Sequence, residues 1–82
     1  MSGLRIEVIT DQGLTVLKLR GEFEGMAILE SREKIFAHLA QSKNLAMDLT
    51  EIKYIDSAGV ALLIDLTKEA ANRKIVFGLM NV

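Results

Sequence analysis

The chain has 82 residues, 50% of them hydrophobic, which is enough apolar material for one small core and too little for a second. Its 10 basic residues against 11 acidic ones give a formal net charge of -1, with no basic cluster to neutralise a row of phosphates, so nucleic acid is excluded as a favoured ligand. Cysteine is absent and there is one histidine, which removes disulfides, thiol chemistry and imidazole-rich metal sites from consideration.

The opening residues Met1-Ser2-Gly3-Leu4-Arg5 run into a strand pattern instead of a basic and then apolar leader. No apolar stretch approaches the roughly 18 residues of a membrane span. The expectation is a soluble, unprocessed chain with no direct membrane insertion. Leu4, Ile6 and Val8 alternate with Arg5 and Glu7, the period of a strand with one buried face, and Asp11-Gln12-Gly13 supplies turn chemistry. In Leu14 to Arg20, Leu17 and Leu19 alternate with Lys18 and Arg20, which predicts a second strand and hence a hairpin. Gly21 ends that strand, and an acidic loop, Glu22-Phe23-Glu24-Gly25, follows.

From Met26 to Ala40 the apolar residues Ile28, Leu29, Ile35, Phe36, Leu39 and Ala40 recur at helical spacing, opposite Glu30, Arg32, Glu33 and Lys34. Gln41-Ser42-Lys43-Asn44 breaks this helix. Leu45, Met47 and Leu49 form a short strand whose end carries Asp48 and Thr50, and Glu51 to Ile55 leads to Asp56-Ser57-Ala58-Gly59. Either Asp56 or Ser57 can cap the next helix, Val60 to Ala71, which has Lys68 and Arg73 toward its end. Lys74 through Met80 is a nearly continuous apolar run that suits a parallel strand covered on part of both faces. Met26, Met47 and Met80 read as gap-fillers in the core. The order is β-β-α-β-α-β in a single domain spanning residues 1–82. After the opening hairpin the strands pair in parallel, giving a mostly parallel four-stranded sheet with both helices on one face.

Ser57 stands out chemically, because a serine where a strand meets a helix N-terminus is exposed and lies beside backbone amides that favour negative charge. A hydrolase elbow requires glycine two residues before its serine, where this chain has Ile55, and His38 on the first helix shows no sign of reaching Ser57. Asp48, Glu51, Asp56, Glu22 and Glu24 are suitable types for a hard cation but lack the fixed spacing of a calcium loop, so they read as a solvated acidic rim. Neither a Walker pattern nor a dinucleotide fingerprint is present. No catalytic residue, metal or cofactor is therefore expected.

The whole pattern resembles the STAS family, which includes the bacterial anti-sigma factor antagonists. The resemblance is carried by Leu19-Arg20-Gly21-Glu22-Phe23-Glu24, then Asp48-Leu49-Thr50, Ile55-Asp56-Ser57-Ala58-Gly59 and Val60-Ala61-Leu62-Leu63. It implies a cytoplasmic anti-anti-sigma factor in which Ser57 is phosphorylated by a partner anti-sigma factor that is itself an ATP-dependent serine kinase, a serine phosphatase reversing the step. The unphosphorylated form would bind the kinase and free the sigma factor. Asp56, Ala58 and Gly59 would shape the phosphosite, with Glu24 and Asp48 as acidic neighbours. Added phosphate brings roughly -1.5 to -2 charges beside Asp56, enough to loosen an interface. The alternative implied by the resemblance is a constitutive scaffold, a subunit of a stress-signalling complex or of a lipid-transport ATPase, with Ser57 kept only as a cap. Family members usually continue past this chain's last strand, so the C-terminal part of the usual fold is expected to be missing and the surface it would cover to be open to self-association.

Overall fold

A computed structural model of the chain describes residues 3–80. Met1 and Ser2, assigned from the sequence to the start of the first strand, and Asn81 and Val82, where the chain stops, lie outside the described residues.

The hairpin forms as its turn chemistry requires. β1 (Leu4–Asp11) pairs antiparallel with β2 (Leu14–Phe23) in the register Asp11↔Leu14. The two linking residues, Gln12 and Gly13, have φ of 48° and 85°, the left-handed pair that matches the twist of a two-residue hairpin. α1 (Gly25–Ala40), β3 (Asn44–Ile55), α2 (Ser57–Arg73) and β4 (Val76–Met80) follow. The strands lie in the order β1-β2-β3-β4, with β2, β3 and β4 parallel.

Both helices cover one face of the sheet. Leu17, Leu19 and Phe23 of β2 and Leu45, Met47 and Leu49 of β3 meet Ala27, Ile28, Ile35 and Leu39 of α1 and Leu62, Leu66 and Ala70 of α2 in a single buried cluster. Burying each large aliphatic side chain contributes about 1.5 to 3 kcal/mol, and this cluster is what holds the helices against the strands. The other face carries charge: Glu7, Lys18 and Asp48 share one cross-strand row, and Arg20 is ion-paired with Glu51 at 2.5 Å.

Several boundaries differ from the sequence reading. Gly21 does not end β2; with φ of 106° it sits between two register shifts, and the strand bends through it to Phe23. A Cβ on Gly21 would lie 1.8 Å from the Gly3 carbonyl oxygen, so glycine there permits a close backbone approach. Phe23, placed in an acidic loop from the sequence, is fully buried. β3 is one strand, not a short strand and a connector, because the register shifts change its core spacing from two residues at Leu45, Met47 and Leu49 to three at Ile52 and Ile55. β4 starts at Val76, not Lys74. Lys74 takes the left-handed conformation that closes α2, and the Ile75 N–H bonds to the Ala70 carbonyl at 2.8 Å. β4 is covered on one face only, with Val76 67% exposed. Of the three methionines assigned to the core, Met47 is there, while Met26 and Met80 are exposed, as are Leu29 and Ala40 on α1.

Candidate functional site

The junctions β2–α1 and β3–α2 lie side by side, because Phe23 and Ile55 are register partners at the ends of neighbouring parallel strands. The Asp56 N–H bonds to the Phe23 carbonyl at 3.4 Å. Asp56 then turns the chain as N-cap of α2, in extended backbone conformation, and its Oδ1 accepts from the Gly59 N–H at 2.9 Å. Its Oδ2 accepts from the Gly25 N–H at 3.1 Å. Asp56 thus settles which residue caps the helix and leaves Ser57 free of that task. Ser57 is the first residue of α2 and is exposed. Among the described residues, its hydroxyl has no hydrogen-bond partner.

Gly59 is buried against the neighbouring strand end, where a Cβ would fall 2.4 Å from the Phe23 carbonyl oxygen. Ala58 is half-buried and packs on the core, which directs the first turn of α2 inward on that side. Ser57, Val60, Ala61 and Ile64 are spaced to share a helix face, and all four are exposed. On the neighbouring helix Met26 and Leu29 are 68% and 70% exposed. The two helices start at the same end of the sheet, since one carboxylate reaches the first N–H of α1 and the first turn of α2. They are tied further along by Arg32 to Asp65 at 3.1 Å, with the Arg32 guanidinium also lying 4.8 Å from the Phe36 ring centroid. The result is a serine hydroxyl beside exposed apolar side chains at one end of the domain.

Glu24 belongs to this end. It is the N-cap residue of α1, and its side chain makes no capping bond. Asp48 does not. It lies within β3, on the order of 20 Å before the strand's end at a rise of about 3.3 Å per residue. Its side chain faces the charged side of the sheet, where Oδ1 accepts from Thr50 N–H at 2.9 Å and Thr50 Oγ1 at 2.5 Å. The strand running unbroken from Asn44 to Ile55 is the physical reason this carboxylate is separated from Ser57. For the same reason Asp48 and Glu51 do not converge with Asp56 and Glu24 on a cation site. His38 sits in the last turn of α1, on the order of 20 Å along the helix from its start at 1.5 Å per residue, and so at the opposite end from Ser57.

Two residues of the site escaped the sequence reading. Gly25, with φ of 45°, presents the N–H that Asp56 holds, and Phe23 supplies the carbonyl against which Gly59 packs. The available signal was a glycine immediately before a helical pattern, at a position where an ordinary helix start prefers a side-chain cap.

The family model described as STAS domain matches residues 5–82. Among solved structures, an anti-sigma factor antagonist from Mycobacterium paratuberculosis superposes with a TM-score of 0.84 at 21% identity, over 93% of this chain and 65% of that one. The anti-sigma factor antagonist SpoIIAA in its unphosphorylated form gives 0.79 at 21% identity, over 95% of this chain and 74% of that one. The Bacillus cell fate determinant SpoIIAA in its phosphorylated form gives 0.78 at 21% identity, over 95% and 73%. The chain therefore spans just under two thirds of the Mycobacterium protein's length and about three quarters of the SpoIIAA chains.

Proposed function

Since the chain belongs to the STAS domain family, we propose that it is a cytoplasmic anti-sigma factor antagonist operating as a phosphorylation-controlled partner switch. In this reading Ser57 is the phosphoacceptor. The unphosphorylated domain binds an anti-sigma factor that is also a serine kinase, which releases the sigma factor, and a serine phosphatase restores the binding form. The domain is a substrate and a binding module, not a catalyst.

The observation that carries the reading is the division of labour at the start of α2. Asp56 makes the cap, so Ser57 has no structural duty and stands exposed at the start of α2. The exposed Met26, Leu29, Val60 and Ile64 supply apolar surface next to it, suited to a partner that must dock before it transfers phosphate. A phosphate on Ser57 would sit at the amino end of α2, where the helix tolerates negative charge, so the modified domain stays folded while contacts around the serine change. The constitutive-scaffold alternative loses its rationale for the serine, because the cap it would explain is provided by Asp56.

The test is intact mass and site mapping after incubation with ATP and the anti-sigma kinases of the same host. One phosphate on Ser57, absent in Ser57→Ala, together with weaker kinase binding by Ser57→Asp, is the expected result. Stable complexes with no phosphate from any of the kinases would replace the switch with a constitutive scaffold.

A further inference from the structure

We propose that Asp56 is a positioning residue coupling the state of Ser57 to the start of α1, so that phosphate on Ser57 uncaps that helix. The inference rests on the phosphorylation reading above and assigns the route by which the modification reaches the neighbouring helix.

α1 has no cap of its own. Its N-cap residue, Glu24, makes no side-chain bond to the helix, and the first N–H, that of Gly25, is taken by Asp56 from across the junction. Gly25 is in the left-handed region, with φ of 45°, and a Cβ there would meet nothing within 4 Å. Glycine at this position is therefore a matter of backbone conformation, not space, and the conformation turns the N–H toward the carboxylate. One aspartate thus serves two helices, with Oδ1 on Gly59 and Oδ2 on Gly25.

A phosphoserine at 57 upsets this sharing in two ways. Its oxygens compete for the amides of the first turn of α2, and its charge of roughly -1.5 to -2 stands next to the Asp56 carboxylate. α2 keeps an anion at its N-terminus whichever group wins. α1 does not, because Asp56 is its only side-chain cap among the described residues, and repulsion from the phosphate draws that carboxylate away from the Gly25 N–H. The Gly25 bond yields, and the first turn of α1 loosens. That turn carries the exposed Met26 and Leu29, so the modification alters apolar surface on a second element as well as placing charge at its own. The change is local, because Ile35 and Leu39 hold the rest of α1 in the buried cluster.

The experiment is amide NMR on two preparations of the chain, one with serine and one with phosphoserine incorporated at position 57 during translation. Because the phosphate is installed without a kinase, failure of the coupling is separable from failure of the kinase reading. With phosphoserine, the Gly25 amide proton moves upfield and exchanges about tenfold faster, at the low end of what a hydrogen bond to a charged acceptor is worth, while Leu17 and Met47 amides keep their exchange rates. Asp56→Ala with serine reproduces the Gly25 change, Asp56→Asn retains part of the bond, and phosphoserine added to Asp56→Ala changes Gly25 no further. A Gly25 resonance that stays in place or moves downfield on phosphorylation overturns the proposal, and that comparison needs no Asp56 variant to fold.

Discussion

Gly59→Ala is the substitution for which the structure and helix propensity disagree most sharply. In an exposed helix interior alanine is favoured over glycine by about 1 kcal/mol. At this site the added Cβ falls 2.4 Å from the Phe23 carbonyl oxygen, 2.8 Å from Phe23 Cδ2 and 3.0 Å from Ile55 Cγ2. The nearest of these is backbone in the ladder between β2 and β3, and Phe23 is fully buried, so no flexible side chain can swing aside. Overpacking of this kind costs about 1 to 3 kcal/mol. Because the nearest contact is backbone, the cost falls at the upper end of that range, and less the propensity gain of about 1 kcal/mol it leaves a net loss near 2 kcal/mol, which at a urea m-value of about 1 kcal/mol/M lowers the midpoint by about 2 M. The corresponding fall in Tm is roughly 8 to 16 °C for a domain of this size. Gly78→Ala is the control: a Cβ there meets nothing within 4 Å, and stability should be unchanged or raised by up to about 1 kcal/mol. Urea unfolding followed by circular dichroism compares the two. A Gly59→Ala midpoint within error of the parent, or equal to that of Gly78→Ala, would refute the argument that the two junctions are in hard contact.

Met47→Ala empties a fully buried position on β3 and should cost about 2 to 5 kcal/mol. That is a large share of the roughly 4 to 12 kcal/mol expected for the whole domain, and it is read as a steep drop in Tm. Leu29→Gln, at a side chain 70% exposed, should change stability by under about 0.5 kcal/mol yet weaken binding to the kinase that modifies Ser57 by about fivefold or more. Equal binding would remove α1 from the docking surface. Glu51→Gln breaks the pair with Arg20, whose side chains are 46% and 51% exposed. The loss should be under about 1 kcal/mol and shrink further as salt is added, which denaturation at low and high ionic strength will measure.

The element order and the sheet were legible because hydrophobic period and turn chemistry agree over most of the chain. Alternation marks Leu17 and Leu19, Asp11-Gln12-Gly13 sits where the hairpin turns, and Ser57 falls at the strand-to-helix boundary. Legibility failed where backbone geometry overrides pattern. Gly21 reads as a terminator, yet its positive φ lets β2 continue, and the resulting bulges stretch the core spacing of β3, so Asp48 reads as the end of a strand when it lies within one. Leu29 and Met26 are apolar at helical spacing and still face solvent, since periodicity locates an apolar stripe but not how much of it the sheet can cover. The second cap made by Asp56 was beyond reach, because it links residues of different elements through a register that only the paired strands define.

The strands occupy the sheet in the order in which they occur in the chain. Each strand after the first pairs with its predecessor in the chain, so none must be threaded between two that are already paired. The hairpin joins neighbouring residues, and each parallel pairing closes only a loop that contains one helix, which keeps the entropy of each closure modest. The site around Ser57 therefore depends on one pairing, that of β2 with β3, since only their register brings the starts of α1 and α2 within reach of a single carboxylate.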